Sequence, residues 1–372
     1  MKRNLCVIES TVLTKRWAHY FCLDTLAHYF NIIYLDCSSI SHPSFHPAAE
    51  ITADYVVKVK SHKHLSALLM NLPKDILVVC NIHLFPANFW LHRIIASKTR
   101  HIIHVDFITN NDTESLSIFQ KIIRKFKPER FVKILFWKIY SRMYDPITIS
   151  CNPDVKRFRI NHPDYEAYLQ DSLSLPTESD QSPYIVYLDQ FFPYHPEIED
   201  LERNFYPEEI AEPFYESINK FFSRIESETG CSVIIAAHPT SSYPKNPFGG
   251  RKIIMYKSSQ LVKNARAVVM HNSNTLSLVV LYNKPVALLT NDYYQKAIRQ
   301  QKYLQNISKR YRLPIIDTDD EAKSFKDFSK MDETLRQEYI LNLTDGENKS
   351  NAERFVDYYN IIYEELYGSN VR

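Results

Sequence analysis

Residues 267–289 read AVVMHNSNTLSLVVLYNKPVALL. Short apolar runs at 267–270 and 286–289 flank a segment at 274–281 whose apolar spacing predicts a short helix. A strand, a helix and a second strand in this order form a βαβ unit with parallel strands. This stretch therefore predicts an α/β fold.

The same alternation extends in both directions along the chain. Further strands are predicted at 184–188, 232–237, 252–256 and 313–317, with helices at 207–230, 258–264 and 293–310. The N-terminal half repeats the pattern, with strands at 4–9, 32–36, 55–59, 76–80, 101–107 and 147–151 and helices at 16–30 and 89–97. We therefore expect an α/β protein with two Rossmann-like domains.

The domain boundaries follow from where this alternation stops. Residues 165–183 lose periodicity and include the polar, proline-containing stretch LPTESDQSP, which predicts a linker. The first domain is accordingly expected at 1–175 and the second at 183–330. Residues 331–372 predict C-terminal helices, at 331–344 and 351–367, which we expect to pack back on the first domain.

Glycine is scarce in this chain. There are 5 glycines in 372 residues and none precedes Gly230, whereas average usage predicts roughly 26. Gly-x-Gly-x-x-Gly and Walker loops need glycine for tight turns and for close approach of the backbone to phosphate. Both loops are excluded, so any bound phosphate must contact side chains and helix ends.

The remaining composition describes a globular chain with a large core. Hydrophobic residues make up 45% and the formal net charge is +2, which excludes a nucleic-acid footprint on the whole-chain scale. The six cysteines form no Cys-x-x-Cys pair, which favours buried free thiols in a reducing cytoplasm over a zinc site or disulfides. The start, MKRNLCVIES, is typical of a first strand, and no apolar run of 18 residues occurs. We therefore expect a cytoplasmic protein.

One segment stands out by its charge. Residues 120–144, QKIIRKFKPERFVKILFWKIYSRMY, contain eight basic residues and one acidic residue, with Phe and Trp among them. An ordinary pair of helices with a solvated basic face accounts for this pattern. A surface that lies on anionic lipid accounts for it too, because aromatic and basic side chains together suit the headgroup boundary. The sequence leaves both interpretations open.

Polar residues follow three predicted strands of the second domain. In open α/β sheets, ligands bind beyond the carboxyl ends of the strands. Ser273, Asn274 and Thr275 are helix-capping residue types, and with His271 they exceed what one cap requires. We expect them, with His238 and Pro239, to bind a phosphate. Simple helix capping is the alternative for the first group, and a structural role is the alternative for His238.

The third of these strand ends carries a carboxylate. Asp189 follows the strand at 184–188, and a carboxylate there can deprotonate an acceptor hydroxyl or attack an anomeric carbon. A cap, or a lysine partner, is the structural alternative. The neighbouring Gln190 and His195 are candidates for contacting an acceptor.

The first domain offers weaker versions of the same arrangement. Glu9 ends its first strand, and His104 and Asp106 point to one face of a later strand because they are two residues apart. We expect these three residues to line an acceptor site.

The second half resembles the nucleotide-binding half of GT-B glycosyltransferases. HPTSSYP at 238–244 and AVVMHNSNTLSLVVLYNKPVALL at 267–289 carry the resemblance, which covers about 150 residues, 184–318. More narrowly, they are similar to motifs of bacterial sialyltransferases and of Kdo transferases of surface polysaccharides. The resemblance implies two Rossmann-like domains facing across a cleft. It also implies that His238, Ser273 and Thr275 hold the single phosphate of a CMP-activated sugar.

The chain departs from the sialyltransferase pattern at the acidic motif. That motif ends in glycine, and no glycine precedes Gly230. Asp189-Gln190 takes its place, so Asp189 is the expected catalytic residue, and whether the reaction inverts or retains the anomeric centre stays open.

The expected function is transfer of a nonulosonic-type sugar, Kdo or a sialic-acid relative, from a CMP donor to a glycan hydroxyl. No metal and no cofactor beyond the donor are expected, since His238 and the helix start at Ser273 can stabilise the leaving phosphate. The acceptor would be a glycan or lipid-linked glycan. Segment 120–144 would place the enzyme at the inner face of the cell membrane.

Two other functions fit the same residues. A CDP-polyol phosphotransferase of the teichoic-acid type shares the His-Pro and the Ser-rich helix start, and would use a second histidine, His271 or His195. A non-catalytic protein that binds a glycan or a nucleotide is the other alternative.

Overall fold

The computed structural model describes residues 2–41, 50–82, 88–107, 138–173, 182–195, 198, 202, 205–239, 241–273, 275–347 and 349–368. The chain divides into two compact units: Met1–His162 with Thr344–Arg372, and Pro163–Leu343. Each unit contains one six-stranded sheet in which every strand pair is parallel. The predicted α/β fold with two Rossmann-like domains is confirmed.

The first unit has the strand order β3-β2-β1-β4-β5-β6. Its strands are β1 (Arg3–Glu9), β2 (Phe30–Asp36), β3 (Val56–Lys58), β4 (Leu77–Cys80), β5 (His101–Asp106) and β6 (Asp145–Ser150). Its helices are α1 (Lys15–Tyr20), α2 (Leu23–Leu26), α3 (Ser38–Ser41), α4 (His62–Met70), α5 (Phe89–Lys98) and, near the C-terminus, α13 (Asn351–Tyr367).

Both faces of this first sheet are buried. Leu5 belongs to a core that includes Phe355 of α13, while the next residue, Cys6, belongs to a core that includes Leu65 of α4 and Ile95 of α5. Because successive side chains of a strand point to opposite faces, a strand covered on both sides reads as a continuous apolar run. For this reason the apolar run at 4–9 predicted a strand there.

The helix predicted at 16–30 differs from the observed structure. Cys22 adopts a left-handed conformation with φ 52°, which separates α1 from α2. The chain then enters β2 at Phe30. A continuous amphipathic pattern did not reveal this break, because the residue at the break is not glycine.

The second unit has the strand order β12-β11-β10-β7-β8-β9. Its strands are β7 (Tyr184–Leu188), β8 (Ser232–Ala237), β9 (Ile253–Met255), β10 (Ala267–Met270), β11 (Val286–Thr290) and β12 (Ile315–Asp317). Its helices are α6 (Pro163–Leu173), α7 (Pro207–Thr229), α8 (Ser258–Asn264), α9 (Leu276–Leu281), α10 (Asp292–Gln295), α11 (Ile298–Tyr311) and α12 (Glu333–Leu343), with a 3-10 turn at Phe325–Asp327.

Two helix ends of this unit show why the chain turns where it does. Gly230 ends α7 with φ 67°, a conformation that glycine adopts without the penalty of a Cβ. The helix predicted at 293–310 is divided into α10 and α11 at Lys296 and Ala297, with Asn291 capping α10 through a hydrogen bond from Tyr294 N.

Both sheets have the doubly wound order 3-2-1-4-5-6 when strands are numbered within each unit. The order reverses between β1 and β4 in the first unit and between β7 and β10 in the second. Ligands of such sheets bind at the carboxyl ends of the strands on either side of this reversal. The strand ends singled out in the sequence therefore lie where this fold places ligands.

The unit boundaries differ from the predicted domain boundaries. Helix α6 occupies much of the predicted linker 165–183 and belongs to the second unit, although the first domain was expected to reach 175. Tyr165 and Tyr168 pack against the core of the second unit, and Ser277 Oγ donates a hydrogen bond to the Asp164 carboxylate. These contacts join segments that are far apart in the sequence. The local pattern of 165–183, which has no clear periodicity, therefore did not predict helix α6.

The two C-terminal helices belong to different units. Helix α12 packs in the second unit, where Arg336 Nε donates to Val280 O at 2.8 Å. Helix α13 packs in the first unit through Phe355 and Tyr359. The chain thus returns to the first unit only after residue 343.

Two further findings concern the cysteines and the membrane. All six cysteines are free thiols, and five of them are buried, Cys22 being partly exposed. Within the described ranges, no helix has both the length and the apolar character to cross a bilayer. Residues 120–137 lie outside the described residues, so the membrane interpretation of 120–144 stays a prediction.

Candidate functional site

The carboxyl edge of the second sheet brings together residues far apart in sequence. Strand β7 lies between β10 and β8, so Asp189, His238 and His271 follow three neighbouring strands. Neighbouring strands lie about 4.8 Å apart, so the ends of β8 and β10 are separated by about 10 Å.

Asp189 is held firmly at this edge. It is only 5% exposed, its Oδ1 accepts from Phe191 N at 3.0 Å, and its Oδ2 accepts from Tyr243 Oη and from His238 N at 3.5 Å. Burial raises the pKa of this carboxyl to about 6, although its hydrogen bonds act in the opposite direction. The carboxylate therefore connects the end of β7 to the loop that begins at His238. The catalytic role of Asp189 stays a prediction.

His238 faces a second histidine. The rings of His195 and His238 are 4.9 Å apart, centroid to centroid, and nearly perpendicular. Both residues are partly exposed, as is Pro239, whose carbonyl accepts from Tyr256 Oη at 3.3 Å. The structure thus places two imidazoles from different loops side by side at this edge.

Ser273 and Thr275 form a compact hydroxyl pair after β10. Their hydroxyl oxygens are 2.7 Å apart, and Ser273 Oγ accepts from Thr275 N at 3.3 Å. Both residues are partly exposed, while Asn274 lies outside the described residues. The following helix α9 has six residues, all of them buried. Phosphate binding here would depend on the hydroxyls more than on the helix dipole.

The expectation that His271 contacts a phosphate is wrong. His271 is fully buried, its ring stacks on Tyr294 at 4.3 Å, and its Nδ1 donates to Leu289 O at 2.7 Å. Burial lowers its pKa to about 4, so the imidazole is neutral at pH 7. Since Leu289 O can only accept, the proton is on Nδ1, and Nε2 has no partner among the described residues. The position of His271 directly after a strand did not show whether its side chain is buried or exposed.

Gln190 belongs to an amide network across the strand reversal. Its Nε2 donates to Asn272 Oδ1 at 2.5 Å and to Gln300 Oε1 at 3.2 Å. Asn272 Nδ2 donates to Gln300 Oε1 at 2.8 Å, and Tyr294 Oη donates to Asn272 Oδ1 at 2.7 Å. The amide of Gln190 thus holds β7 to β10, and the Gln190 Oε1 atom has no partner within the described part of the chain.

The sequence analysis did not predict that Asn272, Gln300 and Tyr243 form hydrogen bonds with the residues at this edge. Asn272 lies inside HNSNT at 271–275 and Tyr243 lies inside HPTSSYP at 238–244. Their positions in these two motifs could have indicated that both residues lie at this edge of the sheet. Gln300 carried no signal, because its role depends on the packing of α11 against the sheet.

In the first unit, Glu9 lies at the end of β1 and is 3% exposed. Its Oε1 accepts from Ser10 N at 2.8 Å and Ser10 Oγ at 3.3 Å. Burial raises its pKa to about 8, so Glu9 is mostly protonated at pH 7. A protonated carboxyl can donate a hydrogen bond to an acceptor oxygen.

His104 and Asp106 are both partly exposed on β5. The His104 Nδ1 lies 3.3 Å from Cys80 O on β4, whereas Asp106 Oδ2 accepts from Ser150 Oγ at 3.2 Å on β6. They share a strand face, as expected from their spacing, but bond to opposite neighbouring strands.

No protein-family model matches the chain, and no curated protein matches it in sequence. Among solved structures, it is similar to the calicheamicin glycosyltransferase CalG4, with a TM-score of 0.52 and 12% identity over 98% of this chain and 99% of that chain. The spinosyn forosaminyltransferase SpnP has a TM-score of 0.47 and 10% identity over 98% of this chain and 100% of that one. The UDP-GlcNAc 2-epimerase from Methanocaldococcus jannaschii has a TM-score of 0.44 and 11% identity over 97% and 99%. The similarity to CalG4 extends over both units and shows that this chain shares its fold.

Proposed function

We propose that this chain is a glycosyltransferase that moves a nonulosonic-type sugar, Kdo or a sialic-acid relative, from a CMP donor to a glycan hydroxyl without a metal. The fold shared with CalG4, a glycosyltransferase by name, supports the general reaction. The motifs at 238–244 and 267–289 support the CMP donor, through their resemblance to those of CMP-sugar enzymes.

One observation carries the proposal. His238 and the Ser273–Thr275 hydroxyl pair follow β8 and β10, on either side of β7, at the strand reversal of the second sheet. An imidazole and hydroxyls are donors to phosphate oxygens, and no glycine loop is needed to supply backbone donors. CMP leaves with one more negative charge on its phosphate than it carries in the donor, so these donors stabilise the transition state more than the bound donor.

Asp189 is proposed as the group that accepts the acceptor proton, or as the nucleophile. A pKa of about 6 suits a base that works near neutral pH. Because the same carboxylate binds His238 N, its removal is expected to disturb phosphate binding as well. The conservative change Asp189→Asn keeps the shape and removes the base, so it separates the two roles better than Asp189→Ala.

Each unit has its own candidate contacts to an acceptor, taken by itself. Gln190 and His195 are the candidates in the second unit, and Glu9, His104 and Asp106 are the candidates in the first. The acceptor is proposed to be a glycan or lipid-linked glycan at the inner face of the cell membrane, with segment 120–144 on the lipid.

Nucleotide binding is tested by thermal shift of the purified chain with CMP, CDP, UDP and GDP. A ligand that binds only the native state raises the melting temperature. CMP is expected to stabilise the protein, and His238→Ala is expected to weaken CMP binding about tenfold, the loss of one charge-assisted hydrogen bond. The matched control His101→Ala changes an exposed histidine of the first unit and should bind CMP normally. Stabilisation by UDP or GDP but not CMP would contradict the donor assignment.

Turnover is tested by CMP release from labelled CMP-Kdo and CMP-sialic acid with glycan acceptors. Asp189→Asn is expected to lower the rate by at least 100-fold and leave CMP binding within a few fold. An unchanged rate would remove Asp189 from the catalytic role. A chain that binds CMP and turns over no CMP-sugar would instead be a binding protein.

The paired rings of His195 and His238 favour one second candidate, a CDP-polyol phosphotransferase of the teichoic-acid type. Phosphoryl transfer with two histidines needs both rings at one phosphate, and His271 cannot serve because it is buried. Transfer of polyol phosphate from a CDP-polyol donor, lost in both His195→Ala and His238→Ala, would establish this function in place of sugar transfer.

A further inference from the structure

Helix α11 presents an outward face with a single sign of charge. Residues spaced four, seven and eleven positions apart lie in one row along a helix. Two adjacent rows of α11 are exposed at every position; they are Ile298, Lys302, Gln305 and Lys309, and Arg299, Tyr303, Asn306 and Arg310. The face therefore carries four basic residues and no acidic one.

The residues that flank α11 in the sequence extend its positive charge. Lys296 precedes α11 and Arg312 follows it, both exposed, so 292–312 contains six basic residues and a single acid, Asp292. Among the residues that the structure describes, Arg299, Lys309 and Arg310 form no ion pair with a carboxylate. The carboxylate of Glu202 is buried, and it accepts from the N–H groups of Arg299 at 2.8 Å and Gln300 at 3.1 Å.

The opposite side of α11 is occupied by the protein core. Leu304, Gln300 and Tyr311 are buried, and Tyr311 packs on Tyr339 of α12 with ring centroids 5.2 Å apart. The basic face is thus fixed in one orientation by the packing of the other side, and it is not needed to hold the helix in place.

We propose that the exposed face of α11 docks on an anionic lipid surface. Basic residues near such a surface are attracted by its negative potential. The face also includes two side chains suited to the boundary between headgroups and acyl chains: Ile298 is 74% exposed and Tyr303 is 45% exposed. Lys and Arg extend their apolar stems along this boundary and keep their charges at the headgroups.

A lipid surface fits these observations better than a nucleic acid does. A phosphodiester backbone would engage the four basic residues, but it gives no role to the exposed aliphatic Ile298. The chain as a whole carries a net charge of only +2, which is unlike the strongly basic domains that bind nucleic acids. The residues of this surface differ from those of segment 120–144, and the proposal does not depend on the transferase activity.

The test is flotation of the full chain with vesicles of phosphatidylcholine alone or with 30% phosphatidylglycerol. Each basic residue near an anionic surface contributes roughly fivefold to the partition coefficient. The variant R299A/K302A/K309A/R310A should therefore lose at least about 100-fold of its partitioning onto phosphatidylglycerol vesicles. Ile298→Ser should lose partitioning as well, by about tenfold, since it removes an inserted aliphatic side chain.

The matched control, K245A/K252A/K326A/K330A, removes four exposed lysines from other elements of the second unit. It has the same net charge as the α11 variant and should partition within about threefold of the wild-type chain. Circular dichroism and melting temperature of both variants should match the wild type, because every changed residue is exposed. The proposal is overturned if the wild-type chain does not bind phosphatidylglycerol vesicles. It is also overturned if both variants lose vesicle binding equally, or if the α11 variant binds the vesicles as well as the wild type does. Binding of a single-stranded RNA through this face, with no vesicle binding, would also overturn it.

Discussion

His271 shows how much a single position depends on its surroundings. It follows β10 next to Asn272 and Ser273, yet its ring lies wholly among Tyr187, Phe192 and Tyr294. An imidazole in such surroundings is stable in its neutral form, because burial disfavours the charged form more than the Leu289 carbonyl favours it. This residue therefore affects stability, and the proposed phosphate contacts involve only its partly exposed neighbours.

The buried imidazole makes the second unit sensitive to acid. The pKa of His271 is about 4 in the folded chain and about 6.5 when unfolded. Between these values only the unfolded chain binds the proton, so the free energy of unfolding falls as the pH falls, by about 2 kcal/mol at pH 5. Urea denaturation at pH 7 and pH 5 measures this effect. On acidification, the free energy of unfolding of His271→Gln should fall by about 2 kcal/mol less than that of the wild type. An equal loss in both proteins would contradict the neutral assignment.

The hydroxyl of Tyr243 should matter most when Asp189 is ionised. Because the pKa of Asp189 is raised to about 6 in the folded chain, stability contributed by this group declines as the pH rises from 3.8 to 6. Tyr243→Phe removes one donor to the charged form, so it should cost about 2 kcal/mol at pH 8 and about half of that at pH 5.

Urea denaturation at the two pH values measures this difference. The control is Tyr256→Phe, since that side chain is 43% exposed and, among the described residues, its hydroxyl bonds to Pro239 O at 3.3 Å. Its effect should stay within about 0.5 kcal/mol at either pH. A Tyr243→Phe penalty independent of pH would show that the Asp189 carboxyl does not titrate in this range.

Among the elements, strands were easier to predict than helix boundaries. The strands at 184–188, 232–237 and 267–270 were predicted with the bounds observed for β7, β8 and β10. Helices broke at Cys22 and at Lys296–Ala297, where no glycine or proline marks the interruption. A buried parallel strand needs an apolar run of definite length, whereas a helix break of this kind is set by how the next segment packs.

The C-terminal helix α13 is a structural element of the first unit. Phe355 is fully buried and stacks on Tyr359 at 5.6 Å, and Arg354 donates two hydrogen bonds of 2.7 Å to the Asp345 carboxylate. Phe355→Ala should lower the stability of the first unit by about 3–5 kcal/mol, because the cavity left in the core adds to the lost burial.

Thermal or urea unfolding checks this effect. The control is Ile361→Ala on the same helix, where the side chain is 45% exposed and should lose less than about 1 kcal/mol. Similar losses for the two variants would mean that α13 is not anchored through Phe355.

At the scale of the whole molecule, each unit has its own sheet and its own core. We expect two unfolding transitions in calorimetry, since domains with separate cores tend to unfold as separate cooperative units. CMP is proposed to bind the second unit, so it should raise one transition temperature, while Phe355→Ala should lower the other.

Adding CMP to the Phe355→Ala variant gives the sharpest comparison. The two temperature shifts should be independent and additive. If CMP raises the transition that Phe355→Ala lowers, the nucleotide site belongs to the first unit, and the assignment to the edge containing His238 is wrong.

Local sequence patterns were sufficient to predict the fold class, the division into two βα series and the strand ends that carry polar residues. Local information is enough for these features, because a parallel strand covered on both faces must be an apolar run and the residues after it are the first that can be polar. The scarcity of glycine likewise excluded the glycine loops without any structure.

Long-range packing determines the strand order, the unit to which α6 belongs and which strand-end residues reach solvent. His195 and His238 are paired although 43 positions separate them, while His271 is enclosed next to the partly exposed Ser273. These outcomes depend on contacts between distant segments, and local propensity carries no information about which distant side chain fills the space next to a residue.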